Sequence, residues 1–416
     1  MNRRTLLTGS LTAAAWKSAA AQTQAPAATG GAFDVAVIGA GAFGAWTAHH
    51  LRKTGEKVVL IDAYGAANSR ASSGGESRII RCAYGPDEIY SRLAWKSLAQ
   101  WKELGRRVAD GTTVFERCGV LWLARNTDVS AKASLEVLPK AGIPFERLDR
   151  ATIRKRFPQF AVEDIDFAIF EPECGALLAR RSVQLLVRDL TRSGVELILE
   201  PVTPPAAVAS DRRLDSVKTA SGRVVRAGTF VFACGPWLPK VFPAELGQRI
   251  FPTRQEMFFF GVPAGDRQFA PPAMPCWIEG DHYYGVPDLE NRGFKFADDN
   301  HGEPVDPDTM DRLVRPDSLE RIRKQLGLRF PALRNAPLIE SRVCQYENSS
   351  NGDFLLDRHP AMDNLWFAGG GSGHGFKHGP AVGEYLAGRI LNAGRTPAEP
   401  RFSFESKATV KKRSVF

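Results

Sequence analysis

Gly39, Gly41 and Gly44 stand at Gly-x-Gly-x-x-Gly spacing directly after the apolar run Val35 to Ile38. The first glycine permits a tight turn, and the second lets backbone approach a pyrophosphate. The third lets the next helix pack on the sheet with its N-terminus towards the negative charge. Asp62 closes the following apolar run, where a carboxylate accepts hydrogen bonds from a ribose. These residues point to a dinucleotide and leave open which one. A second cluster runs from Ala368 to Lys377, and five of the seven residues from Gly369 to Gly375 are glycine. That is more glycine than a turn needs. It exposes several N–H groups to an anion or a ligand carbonyl and implies close backbone approach. The six cysteines (82, 118, 174, 234, 276 and 344) form no CxxC pair and have no histidine at zinc spacing, so no metal site is expected.

Local patterning supplies the elements that must hold these residues. Val35 to Ile38, a helix from Phe43 to Leu51 stopped by Gly55, and Val58 to Ile61 make a βαβ unit. Glu88 to Arg107 predicts an amphipathic helix, with Ile89, Leu93, Leu98, Trp101 and Leu104 near a 3.6 period. Val114 to Leu123, Phe167 to Glu171, Glu256 to Val262, Trp277 to Gly285 and Gly293 to Ala297 carry aromatic and β-branched residues. They predict an antiparallel sheet inserted between returns to the first domain. Val195 to Leu199 and Thr229 to Cys234 read as buried strands. Leu365 to Ala368 leads into the second glycine cluster and a last helix from Ala381 to Leu391.

With 416 residues, 44% of them hydrophobic, the chain has enough core for two or three domains, which excludes a disordered or collagen-like protein. The net charge is +9, yet the basic ends are not interleaved with aromatics, so nucleic acid is not an expected partner. The uncharged run Thr5 to Trp16 is too short to span a membrane. It fits a secretory leader ending at Ala19-Ala20-Ala21, and Asn2-Arg3-Arg4-Thr5-Leu6-Leu7 is similar to a twin-arginine signal. Residues 1–21 are therefore expected to direct export to the periplasm or beyond through the twin-arginine machinery. If the leader is not functional, the protein is cytoplasmic. Residues 22–32 read as a linker, and 396–416 as a basic tail that favours solubility.

Arg78-Ile79-Ile80-Arg81, Val343-Cys344-Gln345-Tyr346 and Gly373-His374-Gly375-Phe376-Lys377 together resemble the monomeric sarcosine oxidase family. That family includes N-methyltryptophan oxidases, within the D-amino-acid-oxidase-like flavoproteins. The resemblance implies an α/β fold with antiparallel β: a Rossmann-like FAD-binding domain (33–112, 180–246 and 351–395) and an inserted mixed-sheet substrate domain (113–179 and 247–350). It implies FAD, held by Gly39, Gly41, Gly44, Asp62, Arg78, Ile79, Trp237, Gly373 and Gly375, with a covalent bond from Cys344 to the flavin. It implies that Arg81 and Lys377 hold a substrate carboxylate, that Lys295 promotes oxygen reduction, and that Tyr284 and Tyr346 line the pocket. Two positions depart from the family. Ser73 and Gly74 replace a histidine pair, and Asp299 replaces a pocket histidine, with His301 two residues away. A carboxylate at Asp299 suits a cationic or hydroxyl-rich group on the substrate rather than sarcosine itself.

The expected activity is oxidation of a secondary, N-alkyl amino acid to an imine, with reduction of O2 to hydrogen peroxide, by a monomer or homodimer without stable membrane insertion. Two alternatives stay open: a periplasmic amino-acid dehydrogenase with another electron acceptor, and a flavin-binding protein without turnover.

Overall fold

The βαβ unit forms as the spacing predicts. In the computed structural model, which describes residues 33–411 except 109–110, 206–211, 281 and 393–396, strand Phe33–Ile38 lies at the centre of a seven-stranded sheet. It pairs in parallel with Val58–Ile61 on one side and Val224–Phe232 on the other. Leu365–Gly369 extends the parallel run, and Leu355–Arg358 closes that edge antiparallel. Helix Ala42–Lys53 starts at the glycine turn and ends with His50, Arg52 and Lys53, basic residues that complement the negative end of a helix. It packs against the last helix, Gly379–Leu391, where a Cβ on Gly383 would stand 2.4 Å from the Trp46 backbone. Only glycine permits that approach.

The second sheet has eight strands, drawn from Val120–Ala124 to Glu146–Asp149 and Phe167–Glu171, and from Ile250–Phe260 to Leu338–Ser349. Every pairing is antiparallel except one: Cys276–Glu279 runs parallel to Val120–Ala124. Its core is aromatic, with Phe160, Trp277, Phe294, Phe296 and Phe330 in mutual contact. Both sheets belong to one compact unit.

Two expected strands are broken, for a local reason in each case. Val114 to Leu123 divides at Gly119, whose φ of +79° suits glycine and whose Cβ would meet the Phe170 ring at 2.5 Å. The first piece, Phe115–Glu116, joins Gly175–Leu177 and Arg78–Ile80 in a separate three-stranded sheet. Trp277 to Gly285 divides at a turn beginning at Gly280, giving Cys276–Glu279 and Tyr283–Val286. The C-terminal segment also differs from a solvated basic tail. Lys407 is buried and donates to the Arg401 carbonyl at 2.7 Å and the Ser406 hydroxyl at 3.0 Å, while Phe402 and Phe404 enter the core. The leader, the linker over 22–32 and residues 412–416 lie outside the described residues. No described helix is long and apolar enough to cross a membrane.

Candidate active site

The glycine motifs of the two ends of the chain meet in one cleft of about 380 Å³, walled by Gly39, Gly41, Asp62, Trp237, Gly371, Gly373 and Gly375. Gly39 has φ +109°, and a Cβ there would lie 2.2 Å from the Ala233 carbonyl, while one on Gly41 would meet only the Ser73 hydroxyl, at 3.5 Å. Gly44 serves the fold: its Cβ would overlap the Gly39 carbonyl. Asp62 secures the turn, accepting from Ala40 N at 2.7 Å and from Tyr64 and Gly65 N at 2.9 and 2.8 Å. Trp237 donates to Asp308 at 2.8 Å. Two further buried oxygens line this cleft without a partner among the described residues, Gln345 Oε1 and Glu347 Oε1. A cradle of bare backbone with unsatisfied polar atoms fits an extended dinucleotide with hydroxyl groups along it.

Arg78, Tyr346, Gly373 and Phe376 also line a smaller chamber of about 80 Å³. Its walls bring together most of the residues expected at the reaction, Arg81, Lys377, Tyr284, Tyr346 and Asp299, and also Ile79, which was expected at the cofactor. Arg81 and Lys377 are both buried. Arg81 donates to the Ala83 carbonyl, and its guanidinium lies 4.5 Å from the Tyr84 ring centroid and 5.3 Å from that of Trp122. Lys377 donates to Tyr84 Oη at 2.7 Å and to the His374 carbonyl at 3.1 Å. Tyr84 Oη is also 2.9 Å from His378 Nε2. Burial, then the charges of Lys377 and Arg81, push His378 well below the usual imidazole range, so the ring is neutral and completes the chain Lys377–Tyr84–His378. Beneath it, Glu171 Oε1 accepts from Cys82 N at 2.6 Å and Ala83 N at 3.1 Å, which fixes the segment carrying Arg81 and Tyr84.

At the opposite wall Tyr346 donates to Asp299 Oδ1 at 2.6 Å. Burial, with the Asp299 charge second, pushes the Tyr284 phenol up to about 12. His301 is exposed, its ring 6.3 Å from that of Tyr346, and His282 lines the chamber beside it. The absence of the histidine pair has a structural reason. A Cβ on Gly74 would meet the Asn68 carbonyl at 2.0 Å, and the Ser73 hydroxyl accepts from Ala42 N at 3.1 Å at the start of the first helix.

Cys344 is one layer behind the cleft wall formed by Ser72, Arg78 and Gln345. Its Sγ is 3.8 Å from Arg78 Nη2 and 3.9 Å from the Ser72 carbonyl. Lys295 does not line the substrate chamber. It is 1% exposed, donates to the Ser77 carbonyl at 3.2 Å and stands 5.2 Å from the Tyr284 ring, opening instead on a separate cavity with Ser77, Phe259 and Leu289. Burial first, then Arg78, lowers its pKa to about 7.

Four of the remaining five cysteines pair by contact, Cys82 with Cys174 at 3.8 Å and Cys118 with Cys276 at 3.7 Å, all as free thiols. Cys82, Glu171 and Cys174 have ligand atoms within 4.8 Å of one another. Burial raises Cys82 and Glu171 towards their neutral forms, and Arg81 lies alongside, which opposes a bound cation. Sequence reasoning missed Tyr84, His378, Glu171, Glu347 and His282. Tyr84 and His378 are 294 residues apart, and no local pattern joins them.

The pattern of the family described as FAD dependent oxidoreductase matches residues 34–389. The chain is 30% identical over 383 residues to the monomeric sarcosine oxidase of Streptomyces avermitilis, covering 90% of this chain and 97% of that one. It is 28% identical to the N-methyl-L-tryptophan oxidase of Salmonella arizonae, covering 88% and 96%. Among solved structures, the L-proline dehydrogenase of P. horikoshii superposes with a TM-score of 0.79 at 20% identity, covering 91% and 99%. A modified fructosyl peptide oxidase from Aspergillus nidulans gives 0.77 at 18% identity, covering 89% and 93%. The glycine cleft, the basic chamber beside it and these likenesses together place the chain in the FAD-dependent oxidoreductase family, among the sarcosine and N-methyltryptophan oxidases.

Proposed function

We propose that the protein oxidises the C–N bond of secondary, N-alkyl amino acids and passes the electrons to O2, giving hydrogen peroxide. The observation that carries this reading is the substrate chamber, where the buried cations Arg81 and Lys377 line one wall together. An amino-acid carboxylate suits this pair, since a guanidinium fork with an ammonium holds it in one orientation. FAD, when bound, supplies the hydride acceptor. The Lys377–Tyr84–His378 chain keeps the ammonium aimed, and Glu171 keeps Arg81 in place through the backbone. Tyr284, protonated at neutral pH, donates rather than removes a proton. Catalysis therefore rests on positioning and electrostatics more than on a protein base. Asp299, braced by Tyr346, favours an N-substituent carrying a cation or hydroxyl groups.

Lys295, on its own cavity behind Tyr284, supplies the cation for oxygen reduction. Cys344, whose sulfur lies against Arg78, provides a covalent thioether to the flavin. The pattern Asn2 to Leu7 carries the further proposal of export by the twin-arginine route, which a reporter fused after residue 32 tests by its compartment.

The deciding experiment is a peroxide assay, with flavin bleaching, over sarcosine, N-methyl aromatic amino acids, pipecolate, proline and sugar-modified amino acids. Bleaching and peroxide with an N-alkyl amino acid are expected. Bleaching followed by slow reoxidation in air would favour a dehydrogenase, and no bleaching with any of them would defeat the reading. Acid precipitation tests the covalent bond: the yellow colour stays in the pellet, and in Cys344→Ala any colour moves to the supernatant.

A further inference from the structure

Strand Leu338–Ser349 presents Gln345 and Glu347 two residues apart, hence on one face, and both line the cofactor cleft. Gln345 is fully buried and Glu347 is 8% exposed. In each, one side-chain oxygen has no hydrogen-bond partner among the described residues. A buried polar atom without a partner is costly, and one ligand along this strand face would satisfy both oxygens.

Their chemistry narrows what satisfies them. Gln345 Nε2 already donates to the Arg70 carbonyl at 2.8 Å, so its free Oε1 needs a ligand that donates. A diphosphate carries only acceptors at neutral pH. Glu347 is flanked by the Gly369 Cα, where a Cβ would stand 2.4 Å from its Oε1, and by the Gly370 and Gly371 amides. Among the described residues no cation acts on it. Burial pushes its carboxyl up to about 8 against the pull of those two amides, so it is uncharged at neutral pH and able to donate as well as accept. A donor–acceptor pair spaced along a strand matches a polyol, whose hydroxyls each donate and accept.

We propose that Glu347, as an uncharged carboxyl, and Gln345, as an acceptor, form a subsite for the ribityl hydroxyls of the bound FAD. Glu347 holds the stem between the isoalloxazine and the diphosphate and thereby sets the ring's position over the chamber walled by Tyr346.

The test is FAD titration into the full-length apoprotein, in a Cys344→Ala background so that retention reports non-covalent grip. Glu347→Gln, a neutral isostere, is expected to bind within about threefold of the parent, and Glu347→Leu to bind about 10-fold more weakly. An FAD analogue lacking one ribityl hydroxyl should bind more weakly to the parent and lose that penalty in Glu347→Leu. Circular dichroism of the apoproteins separates misfolding from lost contact. If Glu347→Leu does not fold, the comparison of Gln345→Leu with Gln345→Glu on the same analogue pair replaces it, with the penalty lost in the leucine variant. Equal FAD affinity for Leu and Glu at 347, or an analogue penalty that survives every substitution, would overturn the subsite. So would loss of binding in Glu347→Gln, which would show that an anion is needed.

Discussion

The cofactor cleft and the substrate chamber share a wall, yet they are built from different material. The cleft is made largely of backbone: Gly39, Gly41, Gly371, Gly373 and Gly375 bring bare main chain to the ligand, and Asp62 spends its carboxylate on three amides. The chamber is made of side chains from distant segments: Arg81 after a three-residue strand, Tyr284 and Asp299 from the eight-stranded sheet, and Lys377 from the turn before the last helix. Backbone recognition depends on local conformation and tolerates little change. Side-chain recognition can be altered one residue at a time without moving the scaffold. The cleft therefore fixes the cofactor, while the chamber sets which amine is oxidised.

That contrast can be broken most forcefully at Gly39. Gly39→Ala puts a Cβ into the Ala233 carbonyl at a positive φ, costing on the order of 1–3 kcal/mol in backbone strain alone. The protein should purify colourless with a lowered melting temperature, whereas a yellow, equally stable variant would show that the cleft is not backbone-limited. In the chamber, Lys377→Met should leave the flavin in place and lower kcat/KM by about 10²–10³-fold, since it removes a buried charged partner of the carboxylate. Loss of flavin instead would assign Lys377 to the cleft.

Lys295→Met should slow reoxidation by about 10²-fold while reduction by substrate changes only a few-fold. The ammonium form does this work, and it is depleted as pH rises through a pKa lowered to about 7. The oxygen step should therefore decline towards alkaline pH, and Lys295→Arg should flatten that decline. Stopped-flow traces of the two half-reactions across pH measure both effects. The smallest effect is expected for Asp299→Asn: KM rises by at most about 10-fold for amino acids with a cationic or hydroxyl-rich N-substituent and hardly changes for sarcosine. A uniform change across substrates would make Asp299 a brace for Tyr346 rather than a selector.

The cleft could be read from sequence because its pieces are contiguous. A strand, a glycine turn and a helix are written in periodicity and in residues tolerant of positive φ, and Phe33–Ile38, Ala42–Lys53 and Val58–Ile61 appear within a residue or two of expectation. The strand breaks at Gly119 and Gly280 were hidden because a single glycine inside an apolar run reads equally as a strand residue and as a corner. In the chamber, resemblance supplied Arg81 and Lys377 but not the support beneath them.

By itself the sequence determined which segments become strand, helix or glycine turn, since those depend on each residue's own backbone preferences and on spacings of two and 3.6. Only the tertiary structure decided that Tyr84 links Lys377 to His378, that Lys295 faces a cavity of its own behind Tyr284, and that Gln345 and Glu347 line the cleft. It also buried Lys407, which a solvated tail would have left exposed. The reason is physical: such contacts depend on which faces of two sheets are brought together across hundreds of residues. Desolvation then sets the charge of what lies between them, and neither is encoded in any one segment.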